Sequence, residues 1–164
     1  MAPVPGSAIP YRSDGAIIDH VDAAASSAAL AWLAEHNPSC HSDPGEAIMS
    51  AAAGCGDCFA YSPSFAQCRY IALIARRRIF AIGAGQHSAY YRVPHELYAV
   101  ALASGAVAAS GIGSDWVRFD LFQVDRPAPD LPFWTARAYR AGSERDQASR
   151  PGPGERRPTS PAQG

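Results

Sequence analysis

Between Arg69 and Pro94 the chain reads RYIALIARRRIFAIGAGQHSAYYRVP, and this stretch constrains the fold more than any other. It holds three short apolar runs: Tyr70 to Ala75, Ile79 to Ile82, and Ala89 to Val93. Arg76, Arg77 and Arg78 join the first two, and the Gly-rich string from Gly83 to Ser88 joins the next two. Short β-branched and aromatic runs parted by a polar turn and a Gly-rich turn predict an antiparallel meander. Because the runs are continuously apolar, the strands must be covered by helices on at least one face.

The flanking segments supply that cover. Val21, Ala24, Ala25, Ala28, Ala29, Trp32 and Leu33 recur at helical spacing, and Asn37-Pro38 stops the helix that they predict. Asp43-Pro44-Gly45-Glu46 is a strong helix start, with Gly54 as the stop. Phe59 to Tyr61 predicts a short strand. Pro94 opens another helix, which carries Leu97, Val100, Ala101 and Ala103 inward and ends at Gly105. The small residues from Ala106 to Ser114 predict a loop. Trp116 to Phe122 alternates strictly: Trp116, Arg118, Asp120 and Phe122 share one face, and Val117, Phe119 and Leu121 the other. Asp130 caps a last helix from Leu131 to Arg140, whose apolar stripe is Leu131, Trp134, Ala138 and Tyr139. The class is therefore α+β: a two-layer sandwich, with an antiparallel sheet of four or five strands backed by helices.

A chain of 164 residues suits one domain. Residues 1–15 read as a flexible leader, 16–141 as a single α+β domain, and 142–164 as a disordered Pro/Gly/Arg-rich tail. The N-terminus lacks the basic flank and apolar stretch of a secretory leader, and no run approaches the roughly 20 apolar residues of a membrane span. These features predict a cytoplasmic protein whose four cysteines are thiols or metal ligands. The formal net charge of -1 gives no reason to expect nucleic acid or an anionic membrane as partner.

The segment from Ile71 to Tyr139 resembles the YjbR-like (MmcQ/YjbR) small α+β domains. The resemblance rests on a strand pair ending in IFAI, a strand closing in YYRVP, the helix begun by that Pro, a Gly loop, and DWVRFDLF before a final helix with AYR. It implies a curved antiparallel sheet backed by helices. It implies no established activity and assigns no functional residue.

Three groups of residues are candidates for chemistry. Cys55 and Cys58 form a Cys-x2-Cys turn that could hold zinc with Cys40, His41 or Cys68. The spacing is irregular and lacks a second such pair, so no metal site and no cofactor is assigned, and small core thiols are the simpler reading. A redox role would place the pair at a helix N-terminus, whereas here it follows a helix. His87 sits on the Gly-rich loop, and Tyr90 and Arg92, two apart on one strand, share a face. With Trp116 and Arg118 they would form a surface on an open sheet face suited to a small ligand, an anion among the options, or a protein. The plain alternative is that His87 is an exposed turn residue and Arg92 pairs with Asp120 or Glu96. The run Arg76 to Arg78 could grip phosphates, but on a hairpin tip it more often serves as a solvated end that discourages edge pairing. No nucleophile elbow or Ser-His-Asp order stands out. The sequence thus points to a binding or adaptor domain rather than a catalyst, with an enzyme using His87, Arg92 and Tyr90, or a zinc-stabilised interaction module, as the alternatives.

Overall fold

The structure, a computed structural model, describes residues 11–12, 29, 32, 35, 42–62 and 70–148. The described elements are β1 (Tyr11–Arg12), α1 (Ser42–Ala52), β2 (Phe59–Tyr61), β3 (Tyr70–Ala75), β4 (Arg78–Ala84), β5 (Ser88–Arg92), α2 (His95–Ala103), β6 (Val107–Ala108), β7 (Trp116–Asp120) and α3 (Leu131–Ala148). The strands form one seven-stranded sheet in the order β1-β2-β3-β4-β5-β7-β6. β1 runs parallel to β2, and every other pairing is antiparallel. The expected meander is β3-β4-β5, and the fold is α+β.

The sheet is wider than expected because two short edge strands join it. Tyr11 and Arg12, assigned from sequence to the leader, pair with Ala60 and Tyr61. Val107 and Ala108, read as loop, pair with Arg118 and Val117. A two-residue strand carries no periodicity, so neither has a pattern to read.

α1 and α3 pack on each other and on β4, and this layer seals the first face. Ile48, Met49, Leu73, Phe80, Tyr91, Val117, Phe119 and Trp134 form its core. Asp130 caps α3 as expected, its Oδ1 accepting from the Phe133 N–H at 3.1 Å. The helix then continues through Ala148, past the Arg140 end expected from sequence. Glu144, Arg145, Gln147 and Ala148 are good helix formers, and Gly142 costs the helix only roughly 1 kcal/mol. Within the first core the Tyr91 and Thr135 hydroxyls satisfy each other at 2.9 Å, and burial pushes the Tyr91 pKa well up. In α2 only Ala101 is fully buried; Leu97 and Tyr98 are half-buried, while Val100 and Ala103, expected to face in, are exposed. Nearly every residue of this helix is apolar, so hydropathy does not mark its inner face.

The second face is closed too. Tyr61, Tyr70, Ala72, Ile74, Ile79, Ile82, Tyr90 and Trp116 form a separate core, joined by Ala29 and Ile112. Ala29 and Trp32 are helical, and the Trp32 ring meets Tyr90 edge-on at 6.0 Å between centroids. The remainder of the helix expected around them lies outside the described residues. Gly111 fits against Trp32 because it has no side chain: a Cβ there would lie 2.8 Å or less from two atoms of the indole.

Two irregularities shape the β3–β4 hairpin. The register shifts between Leu73, which faces Ala81, and Ile74, which faces Ile79. Phe80 is the extra residue of this bulge, so Phe80 and Ala81 both join the helix-side core. The bulge aims Phe80 at Tyr139, with ring centroids 5.6 Å apart. At the tip, Arg76 and Arg77 adopt φ values of 49° and 61°, in the left-handed region. A non-glycine residue there costs about 1–2 kcal/mol. Arg76 recovers part of that cost: its guanidinium lies 4.6 Å over the Tyr139 ring and donates to the Tyr139 carbonyl and hydroxyl oxygens at 3.4 and 3.3 Å.

Candidate functional site

The register puts four of the five residues proposed from sequence on one face: Tyr90 lies opposite Arg118, and Arg92 opposite Trp116. That face is not open. Tyr90 and Trp116 are 5% and 4% exposed, which makes them core residues under the Trp32 layer rather than ligand contacts. Arg118 is exposed, while Arg92 is half-buried at the other end of the pairing. The sequence missed this closure because the covering residues come from a distant helix and a loop.

His87 does not join them. It lies in the turn before β5, and its ring packs edge-on against Phe122 at 4.7 Å. Five residues of extended strand separate it from Arg92, roughly 16 Å. A general base must reach its proton at about 3 Å or through one water, so His87, Tyr90 and Arg92 form no catalytic set in this arrangement.

Arg92 is where polar groups do gather. Its Nε donates to Asp115 Oδ2 at 2.5 Å. The partner is neither Asp120 nor Glu96, the two expected from sequence. Asp115 directly precedes β7, and its carbonyl accepts from Val93 N–H at 2.9 Å, which holds the loop against the end of β5. Around this ion pair opens a cleft of about 650 Å³ lined by Arg92, Val93, His95, Tyr98, Ser114 and Asp115. That volume lies within the usual range for small-molecule sites, about 300–1,000 Å³. α2 starts at its rim. Pro94 occupies the N-cap position and gives no side-chain cap, so the positive end of the helix dipole faces this region without a capping oxygen from Pro94. His95, Tyr98, Ser114 and Asp115 were not proposed as binding residues. Pro94 as a helix start beside Arg92 was the available signal.

On the other side Arg92 also lines a much smaller cavity, about 20 Å³, with Arg78, Phe80 and Tyr139. Such a space holds little more than one water. A third hollow, about 310 Å³ and mostly apolar, lies between the start of α1 and the loop before α3, lined by Ala47, Leu121, Phe122, Pro129 and Leu131 among others.

Cys55 and Cys58 are free thiols, half-buried against the helix-side core. Burial pushes the Cys58 thiol up to about 11, with Cys55 and Asp57 adding to the rise. Burial also raises Cys55, against the opposing pull of Arg140. Among the described residues no group of three or more His, Cys, Asp or Glu could hold a metal ion. Cys40, His41 and Cys68, the other proposed zinc ligands, lie outside the described residues.

A pKa of about 11 instead of 9.0 leaves roughly 100-fold less Cys58 thiolate at pH 8, and the greater nucleophilicity of a more basic thiolate returns about tenfold. Iodoacetamide should therefore modify Cys58 about tenfold more slowly in the folded chain than in the urea-unfolded chain, as read by peptide mass spectrometry. Between pH 9 and 11 the unfolded thiol ionises first, so the folded state loses stability as pH rises through that window.

Compared with family models, with curated proteins and with solved structures, the chain finds no match. Among the described residues no helix is long and apolar enough to cross a membrane.

Proposed function

We propose that this chain is a non-catalytic binding domain that takes a small anionic ligand in the cleft where β5 runs into α2. One observation carries the reading: a guanidinium oriented by a carboxylate, Arg92 on Asp115, lines an open cleft together with His95, Tyr98 and Ser114. Guanidinium forks and hydroxyls match the oxygens of a phosphate or carboxylate, and an adjoining helix N-terminus favours negative charge. Among the described residues His87, Tyr90 and Arg92 do not come within mutual reach, which favours binding over turnover. We place the protein in the cytoplasm on the free state of Cys55 and Cys58. The kinship with YjbR-like domains is proposed on the order of strands and helices between Ile71 and Tyr139.

A thermal-melt panel tests the reading. Orthophosphate, sulfate and citrate should raise the midpoint in a concentration-dependent way, while uncharged sugars of similar size should not. Arg92→Gln should abolish the shift. An equal response to charged and uncharged compounds, or an undiminished one in Arg92→Gln, would sink it. A second reading, contact with a protein, is favoured by Phe122, which lines the apolar hollow and is 59% exposed, and by Val124 two residues on, which is 98% exposed. It predicts no shift with any member of the panel.

A further inference from the structure

The arginine hairpin tip has no use in the cleft as described, yet it is built at a conformational cost. Arg76 and Arg77 both sit at left-handed φ, where glycine, asparagine or aspartate is the usual choice. The anchoring on Tyr139 gives Arg76 a structural reason to be there. Arg77 is exposed and makes no hydrogen bond or ion pair among the described residues, so the fold gives no reason for an arginine at that position. Arg78 is half-buried and equally lacks a carboxylate partner among the described residues. It lines the same small cavity as Arg92, so two arginines border one hollow. Among the described residues the one carboxylate paired with this group is Asp115, and it is bound to Arg92. Arg78, half-buried with no anion of its own, is the cation an added anion would stabilise most.

We infer that the hairpin extends the Arg92 cleft, and that the ligand is a small polyanion carrying two or more phosphoryl groups. This rests on the anion-binding reading above. One phosphoryl group occupies the large cleft against Arg92, His95 and Ser114. The next lies over the mouth of the small cavity, which is too narrow to admit it, and meets Arg78 and Arg77. Arg92 is the shared wall, since it lines both spaces. An arginine oriented by Asp115 on one side of that wall and the uncompensated Arg77 and Arg78 on the other match a ligand whose charge repeats along its length better than one with a single charged end.

Calorimetric titration of the full chain with orthophosphate, tripolyphosphate, citrate and ADP tests this. Wild type should bind tripolyphosphate at least fivefold more tightly than orthophosphate and more tightly than citrate. ADP binding above orthophosphate would identify a nucleotide source, and tripolyphosphate alone an inorganic one. Arg77→Gly, which removes the left-handed residue, and Arg78→Gln should each lose the preference while melting cooperatively. Arg137→Gln, on the exposed side of α3 against Phe133, should keep it. Orthophosphate binding with less than a fivefold tripolyphosphate preference, or a preference retained by both hairpin variants, overturns the extension and leaves the cleft standing. No binding of any anion overturns both.

Discussion

Gly83→Val is expected to destabilise the domain by about 3 kcal/mol or more, the upper end of overpacking costs. Gly83 lies in β4 directly beneath the first turn of α1. A Cβ at this position would come within 2.8 Å of Gly45 N and of Pro44 C and O. All three are backbone atoms, so no flexible side chain can move aside. Either α1 lifts from the sheet or β4 bends away from β3 and β5, and both motions open the core around Ile48 and Ile71. Natural domains are stable by only about 5–15 kcal/mol, so the loss should show as a large drop in the urea midpoint. A Gly83→Val chain within 1 kcal/mol of wild type would mean that α1 does not rest on β4 as described.

Ile74→Ala should cost about 2–5 kcal/mol, as much as Leu73→Ala on the opposite face. Both side chains are 0% exposed, and each belongs to a different core. The two-layer sandwich expected from sequence leaves the second face open. With the second face open, Ile74 would be partly solvated and its truncation far cheaper. Phe122→Ala, at a residue 59% exposed, serves as the control and should stay within about 0.5 kcal/mol. Equal urea-midpoint losses for Ile74→Ala and Leu73→Ala, with none for Phe122→Ala, support two closed faces. An Ile74→Ala loss near that of Phe122→Ala would contradict them.

The contrast between these two faces shows what was legible. The runs Tyr70 to Ala75 and Ile79 to Ile82 announced strands because β-branched residues, apolar continuity and turn residues agree there. The alternation of Trp116 to Asp120 announced the two faces of the strand, and Val117 and Phe119 turn toward the helices. The second layer was hidden because nothing in the local pattern of Trp32 or Ile112 says which distant strand they meet. The bulge at Phe80 was equally hidden, since IFAI reads the same with or without an extra residue in the ladder. Arg92 was picked out for its neighbourhood with Tyr90, but its environment is set by Asp115, which a two-residue periodicity on β5 alone cannot reveal. His87 is close to Arg92 in sequence alone. An extended strand turns that closeness into distance.

The candidate site lies at the end of the sheet rather than on its face. Large aromatic residues on a strand signal burial as readily as binding, and Tyr90 and Trp116 are buried. The polar groups with room around them are those at the strand-to-helix junction, where Pro94 starts α2 and the Ser114-Asp115 turn approaches.

The most direct test is an amide chemical-shift titration of isotope-labelled full-length chain with orthophosphate. The account predicts saturable shifts confined to Arg92, Val93, His95 to Tyr98, and Ser114 to Asp115. Shifts centred instead on Gly85 to His87 and Phe122, or none at millimolar phosphate, would contradict it.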